Sequence, residues 1–123
     1  MFHGVDIVSV RRIAEMLGDH AERFLERCFT PEEQAYCTSQ TRRTAEHLAA
    51  RFAAKEAVMK ALGTGLTAGI TWRDIEVRRS GTGQPSVQLS GRAAEIAAER
   101  GISRWVLSLS HTDDYAIASV IAQ

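Results

Sequence analysis

The run RFAAKEAVMKALGTG from Arg51 to Gly65 reads as the end of a long helix, and it carries a carboxylate where helical spacing asks for an apolar side chain. At about 100° per residue, Ala45, Ala49, Phe52 and Met59 converge on one face, with Glu56 among them and Lys60 at the edge of the stripe. A carboxylate so placed faces the core or a cleft. Burying it unpaired costs on the order of several kcal/mol, so Glu56 needs a metal, a cation or a substrate group. A Glu56–Lys60 ion pair across one helical turn meets the same need, and the helix alone does not choose between them.

With 123 residues the chain is expected to form one domain, residues 1–123, at a size where a single core suffices and oligomerisation often adds burial. No linker, repeat or low-complexity tract divides it. Lysine plus arginine and aspartate plus glutamate are equal at 15 each, so no global basic field argues for nucleic acid. The start MFHGVDIV lacks the charged and apolar regions of a signal peptide, and no apolar run approaches the roughly 18 residues of a membrane span. A cytoplasmic protein with no membrane partner is the expectation. Cys28 and Cys37 form no CxxC pair and are expected to be reduced structural thiols.

Gly4 to Val10 is β-branched and reads as a strand, with Asp6, Val8 and Val10 on one face. Arg11 to Arg27 has helical spacing, with a break expected at Gly18-Asp19. Thr30-Pro31-Glu32-Glu33 is a helix start, Thr30 capping and Glu33 closing the box. The long helix then spans roughly Arg43 to Leu62 and stops at Gly63, with Gly65 just beyond. Ile75–Arg78 and Val87–Leu89 flank Gly81-Thr82-Gly83-Gln84-Pro85 as a hairpin, and Ser90 is expected to cap a helix of about ten residues ending at Gly101. Trp105–His111 and Tyr115–Ile121 read as a final antiparallel pair. The fold class is therefore α+β, antiparallel strands and hairpins packed against a long central helix.

Asp6 in the first strand and Glu56 in the long helix are both acids in apolar surroundings. Adjacent to one another they would repel, and one would hold its proton, unless a divalent cation sat between them. Few, hard oxygen ligands suit Mg²⁺, which keeps several waters and is commonly completed by substrate phosphates. Lys60 could then offer a point charge to a phosphoryl oxygen, and the amides around Gly63 and Gly83 could approach an anion, although capping and turning alone would also explain these glycines. His111 ends its strand between Ser110 and Thr112, a setting open to phosphate contact as well as to a structural role. His3, His20 and His47 read as surface residues.

These segments together resemble the holo-acyl-carrier-protein synthases, the small bacterial 4′-phosphopantetheinyl transferases. Gly4-Val5-Asp6-Ile7-Val8, then Arg51-Phe52-Ala53-Ala54-Lys55-Glu56-Ala57 running on through Lys60 to Gly65, then Ser108-Leu109-Ser110-His111-Thr112 before Tyr115-Ala116 match the family's blocks in order. Trp72–Val77 and Gly83-Gln84-Pro85 are similar to its central hairpin, so the likeness covers the chain nearly end to end. The family commonly begins Gly-x-Gly-x-Asp, and here Phe2 replaces the first glycine.

The resemblance implies the 4′-phosphopantetheinyl transferase fold and Mg²⁺-dependent transfer of 4′-phosphopantetheine from coenzyme A to a serine of apo-acyl carrier protein, releasing 3′,5′-ADP. It implies Asp6 and Glu56 as the metal-binding acids, Lys60 as a pyrophosphate-binding lysine and His111 as a histidine of the coenzyme A site. Arg51, Gly63, Gly83 and Pro85 would lie at the nucleotide, and a homotrimer with sites between subunits is expected. Either Glu56 or a metal-bound water can take the serine proton. Because carrier proteins of this kind are acidic, Arg11, Arg12, Arg23 and Arg27 form a docking face by charge complementarity, the competing account being a solvated helix face. A non-catalytic coenzyme A or nucleotide binding module would not need two buried acids, and a purely structural protein gains little from a core ion pair.

Overall fold

The computed structural model describes residues 1–39 and 41–123. Strand β1 (Phe2–Ser9) pairs antiparallel with β5 (Tyr115–Ala122), which pairs on its other side with β4 (Trp105–His111) in a three-stranded sheet ordered β1-β5-β4. Strands β2 (Ile75–Arg79) and β3 (Pro85–Leu89) form a separate hairpin. The helices are α1 (Val10–Cys28), α2 (Pro31–Thr38), α3 (Thr44–Leu62) and α4 (Gly91–Glu99). The expected α+β layout with a central helix is the one observed.

Helix α3 lies on the inner face of the sheet, against β1 and β5. Small residues make this approach possible: Gly4, Ala116, Ala118 and Ala122 all point inward and are buried. At Gly4 the contact is closest, because a Cβ there would stand 1.9 Å from the carbonyl oxygen of Ala57. No residue with a side chain fits that position unless the strand or the helix shifts.

From Leu48 to Leu62 every residue of α3 is buried except Phe52, Glu56 and Lys60. This corrects the helical-stripe reading. The helix is enclosed on nearly all sides, so it has no single apolar face in which Glu56 is an intruder. Positions 52, 56 and 60 fall one turn apart and form the one ridge that opens outward.

Two further expectations shift slightly. The interruption in α1 falls at His20, whose φ of −144° and ψ of 48° are not helical, one residue beyond Asp19. Ser90 precedes α4, but its side chain makes no capping bond there. Asp74 does the capping instead, its Oδ2 accepting from the amide of Ala93 at 3.3 Å. The capping box of α2 is as expected, Thr30 Oγ1 accepting from the Glu33 amide and Glu33 Oε1 from the Thr30 amide. Cys28 and Cys37 are free and buried, and burial pushes the Cys37 thiol up to about 11. Among the described residues no helix is long and apolar enough to cross a membrane.

Candidate active site

Strand β1 is an edge of its sheet, which leaves its outer carbonyls without a strand partner. Beside its second half, the start of α1 and the open ridge of α3 enclose a cleft of about 260 Å³ whose lining includes Asp6, Ser9, Arg12, Met16, Phe52 and Glu56. The acids singled out in two distant segments therefore meet at one site. Asp6 is carried on the inner face of β1 opposite Ala118 of β5, and Glu56 on the ridge of α3.

Glu56 has no hydrogen bond or ion pair to any described residue. Partial desolvation raises the pKa of its carboxyl, the charge of Asp6 raises it further, and Lys60 and Arg12 pull it back only in part. A carboxylate in this state is short of positive charge. Lys60 does not supply it by a direct pair: its Nζ lies 2.8 Å from Asp6 Oδ1 and 3.0 Å from the carbonyl oxygen of Val5. The ion pair across one turn of α3 is thus replaced by one between α3 and β1, and the bond to Asp6 raises the pKa of Lys60.

Two carboxylates lining one cleft, one of them without a partner, fit a hard divalent cation that keeps water or substrate oxygens in its other positions. Among the described residues no group of three or more His, Cys, Asp or Glu side chains converges at this cleft or elsewhere, so the chain offers a cation two acids here.

A second groove of about 280 Å³ adjoins the first and shares Met16, Phe24 and Phe52 with it. Trp72 stacks on Phe52 at 4.6 Å between ring centres, and His20, Arg23, Arg27 and Leu66 complete the groove. The four arginines of the first helix therefore divide. Arg12 borders the acids, Arg23 and Arg27 border the apolar groove, and Arg11 reaches outward to Glu15 at 3.4 Å.

His111 and Arg51 lie elsewhere. His111 Nδ1 is 3.3 Å from Oε2 of Glu46, at the start of α3 and ten residues before Glu56, or roughly 15 Å along the helix axis. Arg51 is only 2% exposed, with its guanidinium over the Tyr36 ring at 4.3 Å and Nη1 donating to the carbonyl of His47 at 3.2 Å. Its Nε and Nδ1 of His47 are buried with no hydrogen-bond partner among the described residues. His47 is no free surface histidine: its ring sits 5.6 Å from that of Tyr36, and desolvation first, then Arg51, His111 and Arg79, lower its pKa. Within one subunit this cationic cluster and the two acids are separate sites. Gly83 and Pro85 lie at the exposed end of the β2–β3 hairpin, and Gly63 ends α3 at a φ of 75°.

The sequence reading also passed over Lys55, which is wholly buried and ion-paired with Glu33 at 2.7 Å. Its signal was its place beside Glu56, on a helix enclosed nearly all round.

A sequence profile for the 4′-phosphopantetheinyl transferase superfamily matches residues 3–120. The holo-[acyl-carrier-protein] synthase of Koribacter versatilis is 50% identical over 120 residues, covering 98% of this chain and 95% of that protein. The crystal structure of the Neisseria meningitidis holo-[acyl-carrier-protein] synthase superposes with a TM-score of 0.89 at 35% identity, over 99% of this chain and 97% of the other. That of the Helicobacter pylori synthase in complex with coenzyme A gives 0.86 at 32% identity, over 98% and 99%. With family blocks, fold and length all in agreement, the chain belongs to the 4′-phosphopantetheinyl transferase superfamily and, within it, to the holo-[acyl-carrier-protein] synthases.

Proposed function

We propose that the chain transfers the 4′-phosphopantetheine arm of coenzyme A to a serine of an apo-acyl carrier protein, releasing 3′,5′-ADP, with Mg²⁺ held by Asp6 and Glu56. The observation that carries this reading is that Asp6 and Glu56 line one cleft, with Glu56 lacking a partner. Bound there, Mg²⁺ would supply positive charge to the pyrophosphate oxygens. In the transfer, the serine oxygen bonds to the phosphorus on the pantetheine side. The bond from that phosphorus to the ADP phosphate oxygen breaks, and 3′,5′-ADP leaves with the electron pair. Lys60 and Arg12 stabilise the charge gathering on the phosphates by preorganised electrostatics, and either Glu56 or a metal-bound water would receive the serine proton.

The apolar groove beside the cleft, edged by Arg23 and Arg27, suits an acidic carrier that presents an apolar surface next to its serine. The cluster of Arg51, His47 and His111 suits the phosphorylated nucleotide end of coenzyme A. Within a single subunit His111 stands beside Glu46, about 15 Å along α3 from Glu56, and a homotrimer would bring the His111 site of one subunit to the acids of another. In support, the outer sheet face exposes Val5, Ile7, Val106, Tyr115, Ile117 and Ile121 side by side, an apolar area of the kind that marks association. We assign the reaction to the cytoplasm, where the thiols of Cys28 and Cys37 would stay reduced.

Incubation with an apo-carrier, coenzyme A and Mg²⁺, followed by mass spectrometry of the carrier, tests the assignment. The carrier should gain one phosphopantetheine arm, and Asp6→Asn or Glu56→Gln should abolish the gain while leaving the fold intact. Binding of coenzyme A with no mass gain on any carrier would favour a non-catalytic binding module.

A further inference from the structure

Charge in the acid cleft is distributed unevenly. Lys60 donates to Oδ1 of Asp6 and to the carbonyl of Val5, both on β1, while Glu56 has no paired cation. The side chain of Asp6 is 14% exposed, so stripping its counter-ion leaves a poorly solvated carboxylate, and departure of Lys60 is favourable only when another cation arrives. Lys60 is different. Its side chain is 55% exposed on a flexible stem, in the last turn of α3, and it can leave Asp6 for solvent or for a ligand phosphate without losing its own hydration. A divalent ion between the two acids would neutralise both charges at once, which the single ammonium does not.

We propose that Lys60 is the resting counter-ion of Asp6, holding the place a divalent cation takes, so that cation binding and release of Lys60 into the cleft are one exchange. This rests on the reading of Asp6 and Glu56 as cation ligands and adds an order to it. The ion enters first, and its entry presents the ammonium that meets the phosphates. Before then, Lys60 is held against β1 and is not free to meet a phosphate.

Two measurements on the metal-free protein test the exchange without reference to transfer. Mn²⁺, which favours the same oxygen donors, is titrated into wild type, Lys60→Met and Asp6→Asn while free Mn²⁺ is read by electron paramagnetic resonance. Wild type should bind, Asp6→Asn should not, and Lys60→Met should bind roughly two- to fivefold tighter, as expected for losing a competitor of part-exposed ion-pair strength. In the second measurement, the ¹⁵N signal of the Lys60 ammonium, assigned by its loss in Lys60→Met, is followed through a Mg²⁺ titration. It should shift towards that of a solvated lysine as the site fills. The inference is overturned if Lys60→Met binds no tighter than wild type, or if the ammonium signal is unchanged at saturating Mg²⁺, since tighter binding alone would then reflect repulsion at a distance. If wild type itself shows no binding that depends on Asp6, the cation reading falls and the exchange falls with it.

Discussion

Nζ of Lys55 stands 2.7 Å from Oε1 of Glu33, with both side chains closed off from solvent. The same ammonium donates to the carbonyls of Trp72 and Ile75, while Glu33 accepts from the amides of Thr30 and Val77. Three chain segments thus converge on one desolvated ion pair. Every polar atom around it is matched, which is the condition under which such a pair is tolerated.

Removing one partner should be far worse than removing both. Lys55→Met leaves Glu33 charged and buried, and should lower the unfolding free energy by about 3–5 kcal/mol. The double variant Lys55→Met, Glu33→Leu should recover part of that loss. Urea unfolding of the three proteins checks the pattern, and a cost below about 1 kcal/mol for the single variant would reduce the pair to an incidental contact.

Glu56 predicts a stability that declines as pH rises. Its folded pKa lies above the ordinary value of 4.5, through desolvation and then Asp6. The folded state therefore holds the proton more tightly than the unfolded state, and stability falls across the window from 4.5 up to the raised value. In metal-free protein, Glu56→Gln should be the more stable at neutral pH, with a gap over wild type that opens as pH climbs through that window. Melting curves from acid to neutral pH, with and without Mg²⁺, measure it; a gap that is the same at every pH would contradict the shift.

The two arginines of the apolar groove should act on the carrier and not on coenzyme A. Arg23→Glu with Arg27→Glu is expected to raise KM for the carrier at least tenfold, a size reached by a few lost charge contacts, and to flatten its dependence on salt. Coenzyme A binding should be unaffected. Carrier kinetics unchanged across salt in the double variant would return both residues to a plain solvated face.

Ile117→Glu tests the outer sheet face. A charge placed there should leave the monomer folded, because Ile117 is already 41% exposed within one subunit. Sedimentation should show wild type as a trimer and the variant as a smaller species, with transfer lost alongside, since the His111 cluster and the acids would no longer be joined. A trimeric, active variant would remove this face from the assembly.

Much of the architecture was legible because local signals agreed with one another. The Thr30 capping box, the Gly63 stop and the alternation of β4 and β5 all appear near where their residues suggest. Asp6 and Glu56 stood out in sequence as acids among apolar residues, and both line the cleft, although Glu56 does so from an open ridge and not from an apolar stripe. Their cation partner did not stand out. Sequence offers Lys60 to Glu56 by proximity along the helix, whereas the fold delivers it to β1, a choice made by tertiary approach. The burial of Arg51 and the packing of His47 escaped for a related reason: helical periodicity sorts faces only when one face is wet, and α3 is enclosed almost all round. Lys55 stands on the same enclosed helix, but no local pattern names its partner, since Glu33 lies 22 residues away.

The contact between Gly4 and the Ala57 carbonyl acts as a ruler. A strand keeps its inward face only if it slides by two residues, and either such slide would bring Phe2 or Asp6 over the carbonyl, where even a Cβ has no room. Asp6 therefore sits two residues beyond a hard stop, and Glu56 is the residue before the one that makes the stop. The separation of the two carboxylates is thereby gauged by backbone meeting backbone. It needs no bond between their side chains, which remain available to whatever enters between them.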